Sequence, residues 1–259
     1  MQNPLRRPKG NAAPPPRRDV ERNKNDDGGY LAKDVRGHVV AMTGEFVGTF
    51  MFLFFAFAAT QIANTITPPT APSLDQLLFI SLAFGFSLAV TLGMVITGTL
   101  PALRGALLFP AQMLGGMVAA GLVSCMFPGP LAVQTTLTAG TSIAQGVFIE
   151  MFLTAELVFT VLMLAAEKTK ATFIAPVGIG LALFVAELAG GSLNPTRSFG
   201  PCVADRKFPG YHWIYWVGPF LGALISGGYY RFVKFNNYEE ANPGQDDSHH
   251  PQDDGTKAH

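Results

Sequence analysis

Residues 190–201 read GGSLNPTRSFGP, and this stretch decides the fold because it sets an Asn-Pro pair between two long apolar segments. Asparagine is a preferred N-cap residue, and proline is favoured at the first helical position, where its missing N–H would have no partner anyway. We therefore predict a short helix over residues 195–203. Its positive end would lie at membrane depth, where broken helices occur only in contact with protein or with a water-filled cavity.

The surrounding sequence is that of a membrane protein. Of the 259 residues, 49% are apolar and 14% are charged, whereas soluble domains are about a quarter charged. A helix of about 20 apolar residues spans a bilayer. Six apolar runs fit this requirement or approach it: residues 39–63, 77–100, 103–127, 143–166, 173–189 and 213–235. The sequence thus predicts an all-α membrane protein with six spans.

The distribution of charge orients these spans. Residues 1–37 are rich in Pro, Arg, Asn and Asp, and residues 237–259 are equally polar, so we expect disordered tails on both sides of a transmembrane domain over residues 38–236. Because basic residues favour the cytosolic side, we predict that both termini are cytosolic, and we expect a multi-pass protein of the plasma membrane.

An internal repeat relates the two halves of the transmembrane domain. EFVGT at residues 45–49 resembles EMFLT at 150–154, and AQMLG at 111–115 resembles GPFLG at 218–222. Two halves with three spans each must insert in opposite directions, which is the inverted-repeat arrangement of many membrane transport proteins.

Together these features resemble the aquaporin (major intrinsic protein) family, in a fungal-type member, over about residues 37–236. The resemblance implies six tilted helices and two re-entrant half-helices, each opening with Asn-Pro-Ala. It also implies a homotetramer in the lipid bilayer, with a pore for water or small neutral solutes in every subunit. No enzymatic activity, cofactor, metal or nucleic-acid partner is expected.

The resemblance assigns roles to single residues. Asn194 and Pro195 match the second family motif, with Thr196 where alanine is usual, and Arg197 matches the arginine of the selectivity filter. The other filter positions fall on Phe84, Gly191 and Glu187. Many water-selective members carry histidine where this chain has Glu187. A carboxylate there either pairs with Arg197 or is turned away from the pore, and the sequence leaves both alternatives open.

Further positions concern selectivity and support. Ser198 and the pair Tyr215-Trp216 resemble water-selective members; anchoring of a helix at the membrane interface is the alternative for the aromatic pair. Glu45 and Glu150 match buried glutamates that support the two pore loops through backbone hydrogen bonds.

The first Asn-Pro-Ala loop is missing. No asparagine occurs between Asn64 and Asn194, and residues 87–90, SLAV, continue directly into TLGMVITG. A smaller gap precedes Gly191. We expect the first half-helix to be lost or fused to the second span, because 24 residues form a helix of about 36 Å and the hydrocarbon core is about 30 Å thick. Glu45 would then lack the backbone groups that it supports.

Two functions follow from this reading. The first is a channel of the aquaporin type. The alternative is a non-conducting, truncated protein, from a splice form or an error in the gene model, which would act at most as a tetramer partner of full-length subunits.

Overall fold

The computed structural model describes residues 27–66, 74–85, 97–98, 100–138, 140–167 and 170–238, and within these ranges every regular element is helical. The chain divides after Gly37, and the helical bundle lies in the second unit, His38–His259. We number the α-helices of the described residues in chain order: α1 (Asp27–Ile66), α2 (Leu74–Gly85), α3 (Ala102–Met126), α4 (Ile143–Val161), α5 (Ala175–Leu188), α6 (Pro195–Ala204) and α7 (Ile214–Phe235). A π-helical turn, Leu162–Ala166, extends α4, and a 3₁₀ turn, Lys170–Ile174, precedes α5.

Three helical stretches in the described part of the chain are long and apolar enough to cross a membrane: Val35–Thr65, Ala102–Met126 and Ile143–Ala166. A fourth, Thr172–Leu188, is apolar but shorter. The run predicted as the second span starts in α2, but residues 86–96 lie outside the described residues, and so does the predicted fusion of span two with the remnant of the first half-helix.

The predicted N-terminal tail needs a correction. Helix α1 begins at Asp27, so residues 27–37, which we expected to be disordered, are helical. Asp27 is favourable at a helix N-terminus. Residues 30–34, YLAKD, follow three positions later and include the good helix formers Leu, Ala and Lys. The remainder of that tail, residues 1–26, and residues 239–259 lie outside the described part.

The internal repeat corresponds to two equivalent helix crossings. Gly115 of α3 lies against α1, where an added Cβ would be 2.8 Å from the carbonyl oxygen of Phe46 and 3.2 Å from Thr49 Cβ. Gly222 of α7 lies against α4 in the same way, with the corresponding distances 2.4 Å to the Met151 oxygen and 2.8 Å to Thr154 Cβ. Small residues permit this close approach of two backbones. The two halves therefore use the same residue pair, Gly against Thr, at matching positions.

Helix α6 is seated directly on α3. A Cβ at Gly200 would lie 2.5 Å from the carbonyl oxygen of Gly116, and a Cβ at Gly116 would lie 2.5 Å from Thr196 Cγ2. An apolar core on the adjacent side includes Leu53, Phe57 and Leu183, which are all buried. This packing fixes the beginning of α6 in the interior of the bundle.

Candidate functional site

The loop before α6 ends in the N-cap that the sequence predicts. Asn194 has an extended backbone, with φ −143° and ψ 114°, and its Oδ1 accepts a hydrogen bond from the N–H of Thr196 at 2.9 Å. Pro195 occupies the first turn of the helix. The side-chain nitrogen of Asn194, Nδ2, donates to no residue among those described, so this donor is free for a molecule beside the helix.

Glu150 of α4 holds this loop in place. Its Oε1 accepts from the N–H of Ser192 at 2.7 Å, and its Oε2 accepts from the N–H of Leu193 at 2.8 Å. Leu193 has a φ of 56°, a left-handed conformation that costs an L-residue about 1–2 kcal/mol. Two charge-assisted hydrogen bonds on consecutive amides offset this strain and orient Asn194.

Arg197 is buried, at 6% exposure, in the first turn of α6. One of its Nη1 hydrogens reaches the carbonyl oxygen of Val133 at 3.1 Å, and Nη1 also donates to Thr135 Oγ1. Its Nε lies 3.9 Å from Glu187 Oε1. The guanidinium is therefore held between α5 and the non-helical segment of residues 127–138.

These contacts decide between the two alternatives for Glu187. Its side chain is 7% exposed, faces Arg197 and lines the internal cavity, so it is not turned away. Sequence reasoning missed Val133 and Thr135, because the loop PGPLAVQTTLTAG has neither helical nor strand periodicity.

A hydroxyl network extends from the same segment. Ser198 Oγ donates to Thr135 Oγ1 at 2.8 Å and forms a second hydrogen bond with Ser192 Oγ. The hydroxyl of Thr196 donates to Met113 Sδ at 3.2 Å. The threonine that replaces the usual alanine therefore takes part in the packing of α6 on α3.

A cavity of about 570 Å³ lies beside the start of α6. Of the residues that the sequence assigns to the site, the following line it: Asn194, Pro195, Thr196, Arg197, Glu187 and Trp216. The rest of the lining is largely apolar and includes Phe52, Leu157 and Phe220. The polar groups that α5 and α6 contribute form what we call the polar side of the cavity, within a lining that is otherwise largely apolar.

Some predicted site residues lie elsewhere. Gly191 is not part of the cavity wall; an added Cβ would lie 2.6 Å from Leu153 Cδ1, so the residue is small because it packs against α4. Ser198 and Glu150 lie behind the wall and hold its residues. Phe84 belongs to α2, but its side chain falls outside the described part of the structure.

The aromatic pair of α7 is divided between two environments. Tyr215 is 2% exposed and packs against Tyr211 and His212, so it is not an anchor at the membrane interface. Trp216 lines the cavity, and its ring lies 6.2 Å from that of Phe109 and 5.9 Å from that of Phe199.

Glu45 has a partner, contrary to our expectation. Its Oε2 accepts from Gln112 Nε2 at 2.8 Å. Gln112 belongs to the repeat AQMLG on α3 and lines the cavity. A side-chain amide of the neighbouring helix therefore donates to Glu45.

The loop between α6 and α7 holds a buried histidine. Burial lowers the pKa of His212 below its ordinary value, and its Nδ1 lies 3.6 Å from Cys202 Sγ. Across the described ranges, no group of three His, Cys, Asp or Glu side chains is placed to hold a metal ion.

The fold and the site define a helical membrane protein built around a cavity at which a half-helix begins. The chain belongs to the major intrinsic protein family, whose family model (Major intrinsic protein) matches residues 34–230. The predicted all-α membrane fold and the family resemblance are thereby confirmed, and channels of this family are not enzymes.

Curated relatives agree with this assignment. Aquaporin-7 of Botryotinia fuckeliana is 54% identical over 248 residues, covering 84% of this chain and 54% of the relative. Probable aquaporin-3 of Gibberella zeae is 53% identical over 236 residues, covering 81% and 82%. Aquaporin-5 of B. fuckeliana is 53% identical, covering 84% of this chain and 46% of the relative. The chain thus spans about half the length of two of these relatives.

A solved structure shares the fold. The X-ray structure of the aquaglyceroporin from Plasmodium falciparum has a TM-score of 0.67 at 22% identity, covering 78% of this chain and 99% of that chain.

The alignment with Aquaporin-7 has gaps on the side of this chain. It is 248 positions long, yet it includes only 84% of this chain's 259 residues. The relative therefore carries residues inside the matched region that this chain lacks.

Proposed function

We propose that this chain is a passive membrane channel of the aquaporin type, and that water crosses it through the cavity beside α6. One observation carries the proposal: a half-helix begins inside the bundle at Asn194, and the free amide donor of that residue faces a cavity of about 570 Å³ beside a buried arginine. The names of the curated relatives support the same function.

The polar side of the cavity provides what a moving water molecule needs. The amide of Asn194 and the guanidinium of Arg197 offer hydrogen-bond donors, and the carboxylate of Glu187 offers acceptors. The positive end of the α6 dipole points to the same place and opposes the entry of cations. The apolar residues of the lining offer no hydrogen bonds, so a water molecule has few partners at once and can exchange them quickly.

The dimensions admit water and small neutral solutes alike, and the preference for water rests on residue types. A water molecule occupies about 30 Å³ in the liquid, and the cavity of about 570 Å³ is many times larger. Glycerol and solutes of similar size would therefore fit inside it. Ser198 and the pair Tyr215-Trp216 resemble water-selective members of the family, which supports water as the main substrate.

The path that we propose uses only the second half-helix. The sequence lacks the first Asn-Pro-Ala loop, and the extra residues that Aquaporin-7 carries within the matched region support an internal shortening of this chain. In place of the first loop, Gln112 contacts Glu45 at the cavity wall. Glu45 therefore has a hydrogen-bond partner although the first loop is missing.

We further propose a homotetramer in the plasma membrane, with both termini cytosolic. A shortened chain would also fit into mixed tetramers with full-length subunits. Two surface features support assembly. Gly44 and Gly48 leave an open face on α1, where an added Cβ would meet nothing within 4 Å. Glu156 lies well inside the span Ile143–Ala166 and is exposed. A carboxylate facing lipid is costly, and a neighbouring subunit would shield it.

The test is stopped-flow light scattering on proteoliposomes that contain the purified chain. We expect these vesicles to respond to an osmotic step much faster than empty liposomes prepared in the same way, because water then bypasses the lipid. A response equal to that of empty liposomes would refute the channel and identify the alternative, a non-conducting member of the fold. A parallel glycerol gradient measures whether the larger solute also passes.

A further inference from the structure

The segment of residues 127–138 forms neither helix nor strand, yet its middle is buried: Val133 is 1% exposed and Thr135 is 8% exposed. Its backbone N–H and C=O groups need partners from other parts of the chain, because no helix or sheet of its own supplies them. The carbonyl oxygen of Val133 and the hydroxyl of Thr135 in turn accept hydrogen bonds from Arg197. Whatever fixes this segment therefore also fixes the guanidinium.

Gln61 of α1 supplies two of these partners. Its Nε2 donates to the carbonyl oxygen of Pro130 at 3.0 Å, and its Oε1 accepts from the N–H of Ala132 at 2.7 Å. The side chain is 2% exposed, so water hardly competes for either hydrogen bond. One amide group thus binds the backbone on both sides of Leu131, as a neighbouring strand would.

Two further side chains attach the segment to the bundle. Asn64, one turn further along α1, donates to the carbonyl oxygen of Ala132. On the other side, Gln134 Nε2 donates to Asp205 Oδ2 at 3.0 Å, and Asp205 is the C-cap residue of α6. The segment is therefore held between α1 and the end of α6, and the contacts with Arg197 lie between these attachments.

We propose that Gln61 is a positioning residue: it fixes the backbone of residues 130–132 and thereby places Val133 and Thr135 where they hold Arg197. Gln61 itself lies outside the lining of the cavity. It acts along the chain, because planar peptide units leave few ways to move Val133 once the residues before it are fixed. This inference deepens the proposed function and rests on it for the part that Arg197 plays in the channel.

The reactivity of the guanidinium separates this role from simple stabilisation. Phenylglyoxal modifies an arginine whose guanidinium is accessible and reacts slowly with one that is packed in place. Arg197 is 6% exposed, so we expect slow modification in the wild type. Arg206 is exposed on the loop after α6 and gives an internal reference in the same sample.

The modification of Arg197 relative to Arg206 is measured by peptide mass spectrometry on the detergent-purified chain. Gln61→Met keeps the length of the side chain without the amide. It should raise the relative rate at Arg197 about tenfold or more, which is the usual effect of losing two buried hydrogen bonds. Thr135→Val removes a direct partner of Arg197 and should change the rate in the same direction.

The double variant shows whether the two residues act along one path. If Gln61→Met already releases Thr135 from Arg197, adding Thr135→Val should change the rate by no more than about twofold, whereas independent effects would multiply. Multiplied effects would mean that Gln61 does not act through this segment, and would contradict the proposal.

Leu162→Ala is the control for lost stability. Leu162 is fully buried and directly follows α4, a helix of 19 residues that begins just after the segment, so it lies about 28 Å away along the helix axis. Truncation of a core leucine is strongly destabilising, and we expect the Tm to fall at least as far as in Gln61→Met. The relative rate at Arg197 should stay near that of the wild type.

Two results would overturn the inference. One is equal modification of Arg197 in the wild type and in Gln61→Met. The other is equal acceleration in Gln61→Met and Leu162→Ala, because Arg197 would then become accessible through general loosening of the fold.

Water flux in proteoliposomes tests the consequence for transport. Gln61→Met should lower the flux per folded protein severalfold, because a guanidinium released from Val133 and Thr135 is free to move into the cavity that it lines. The two proposals fail separately. Accelerated modification in a chain that passes no water rejects only the channel, whereas water flux with unchanged modification rejects only the positioning role of Gln61.

Discussion

Glu150 shows how a single side chain maintains the site without lining it. Both of its oxygens accept backbone N–H groups, from Ser192 and Leu193, and the second of these residues is in the left-handed region. Glutamine at this position would accept one of the two hydrogen bonds and direct an N–H₂ group at the other amide. A buried donor would then be left without a partner, and the loop that presents Asn194 would lose its support.

We therefore expect Glu150→Gln to lower the free energy of unfolding by about 1–3 kcal/mol, the usual effect of an unsatisfied buried group. Water flux should fall as well, because Asn194 is no longer held. Glu156→Gln is the matched control, since it makes the same replacement on an exposed position of α4. The measurement is thermal unfolding in detergent, followed by stopped-flow permeability. Equal shifts in Tm for the two variants would contradict the role of Glu150.

The sequence predicted some of these residue contacts and not others. Asn194 and Pro195 were predictable because capping is local and depends on residue type alone. The direction of Glu187 was not, because it depends on how α5, α6 and the segment of residues 127–138 pack. Thr135 could not be found at all, since a threonine in an aperiodic loop carries no signal until that loop is seen to pass beside Arg197.

Helix α6 depends on two glycines at its crossing with α3. An added Cβ at Gly200 would lie 2.5 Å from the carbonyl oxygen of Gly116 and 2.8 Å from its carbonyl carbon. These are backbone atoms, so no side chain can rotate away to make room. The half-helix would have to move off α3 to accommodate even a methyl group, and its N-terminus would move with it.

Gly200→Ala should accordingly destabilise the protein by about 1–3 kcal/mol or more, as overpacking does, although alanine is the better helix former. The control is Gly121→Ala on α3, where an added Cβ meets nothing within 4 Å. That variant should be neutral or slightly stabilising. Thermal unfolding of both variants decides the point: a Gly200→Ala protein as stable as Gly121→Ala would mean that α6 is not seated as described.

Most helices were predictable from the lengths of the apolar runs, but their ends were less so. The runs that start near 103 and 143 became α3 and α4, because a long apolar helix has few alternatives in a membrane. The beginning of α1 at Asp27 was missed, since a polar composition was taken as evidence against structure. A polar segment can continue a helix that an adjacent apolar run has already nucleated.

The internal repeat explains where the cavity lies in the bundle as a whole. In the alignment of AQMLG with GPFLG, Gly116 of α3 corresponds to Ala223 of α7. Gly116 is covered by α6, which packs against it directly. Ala223 instead faces the cavity. The equivalent positions of the two halves thus differ, because Gly116 packs against a half-helix whereas Ala223 lines the cavity.

Filling this space tests whether the cavity is the route of transport. Ala223 is 1% exposed and lines the cavity, so phenylalanine at this position would take up part of its volume. Ala223 also belongs to a buried cluster with Val158, Leu162 and Tyr230. We therefore expect Ala223→Phe to cost about 1–3 kcal/mol of stability, as overpacking does, while water flux per folded protein falls severalfold.

Leu224→Phe is the matched control, because the next residue of α7 is exposed and a larger side chain there contacts only the surroundings of the bundle. Stopped-flow permeability of the two variants at equal reconstitution density gives the answer. Flux lost in Ala223→Phe and kept in Leu224→Phe places the water path in the cavity beside α6. If Ala223→Phe conducts as well as Leu224→Phe, water crosses the protein elsewhere and the polar wall of Glu187, Asn194 and Arg197 does not select the solute.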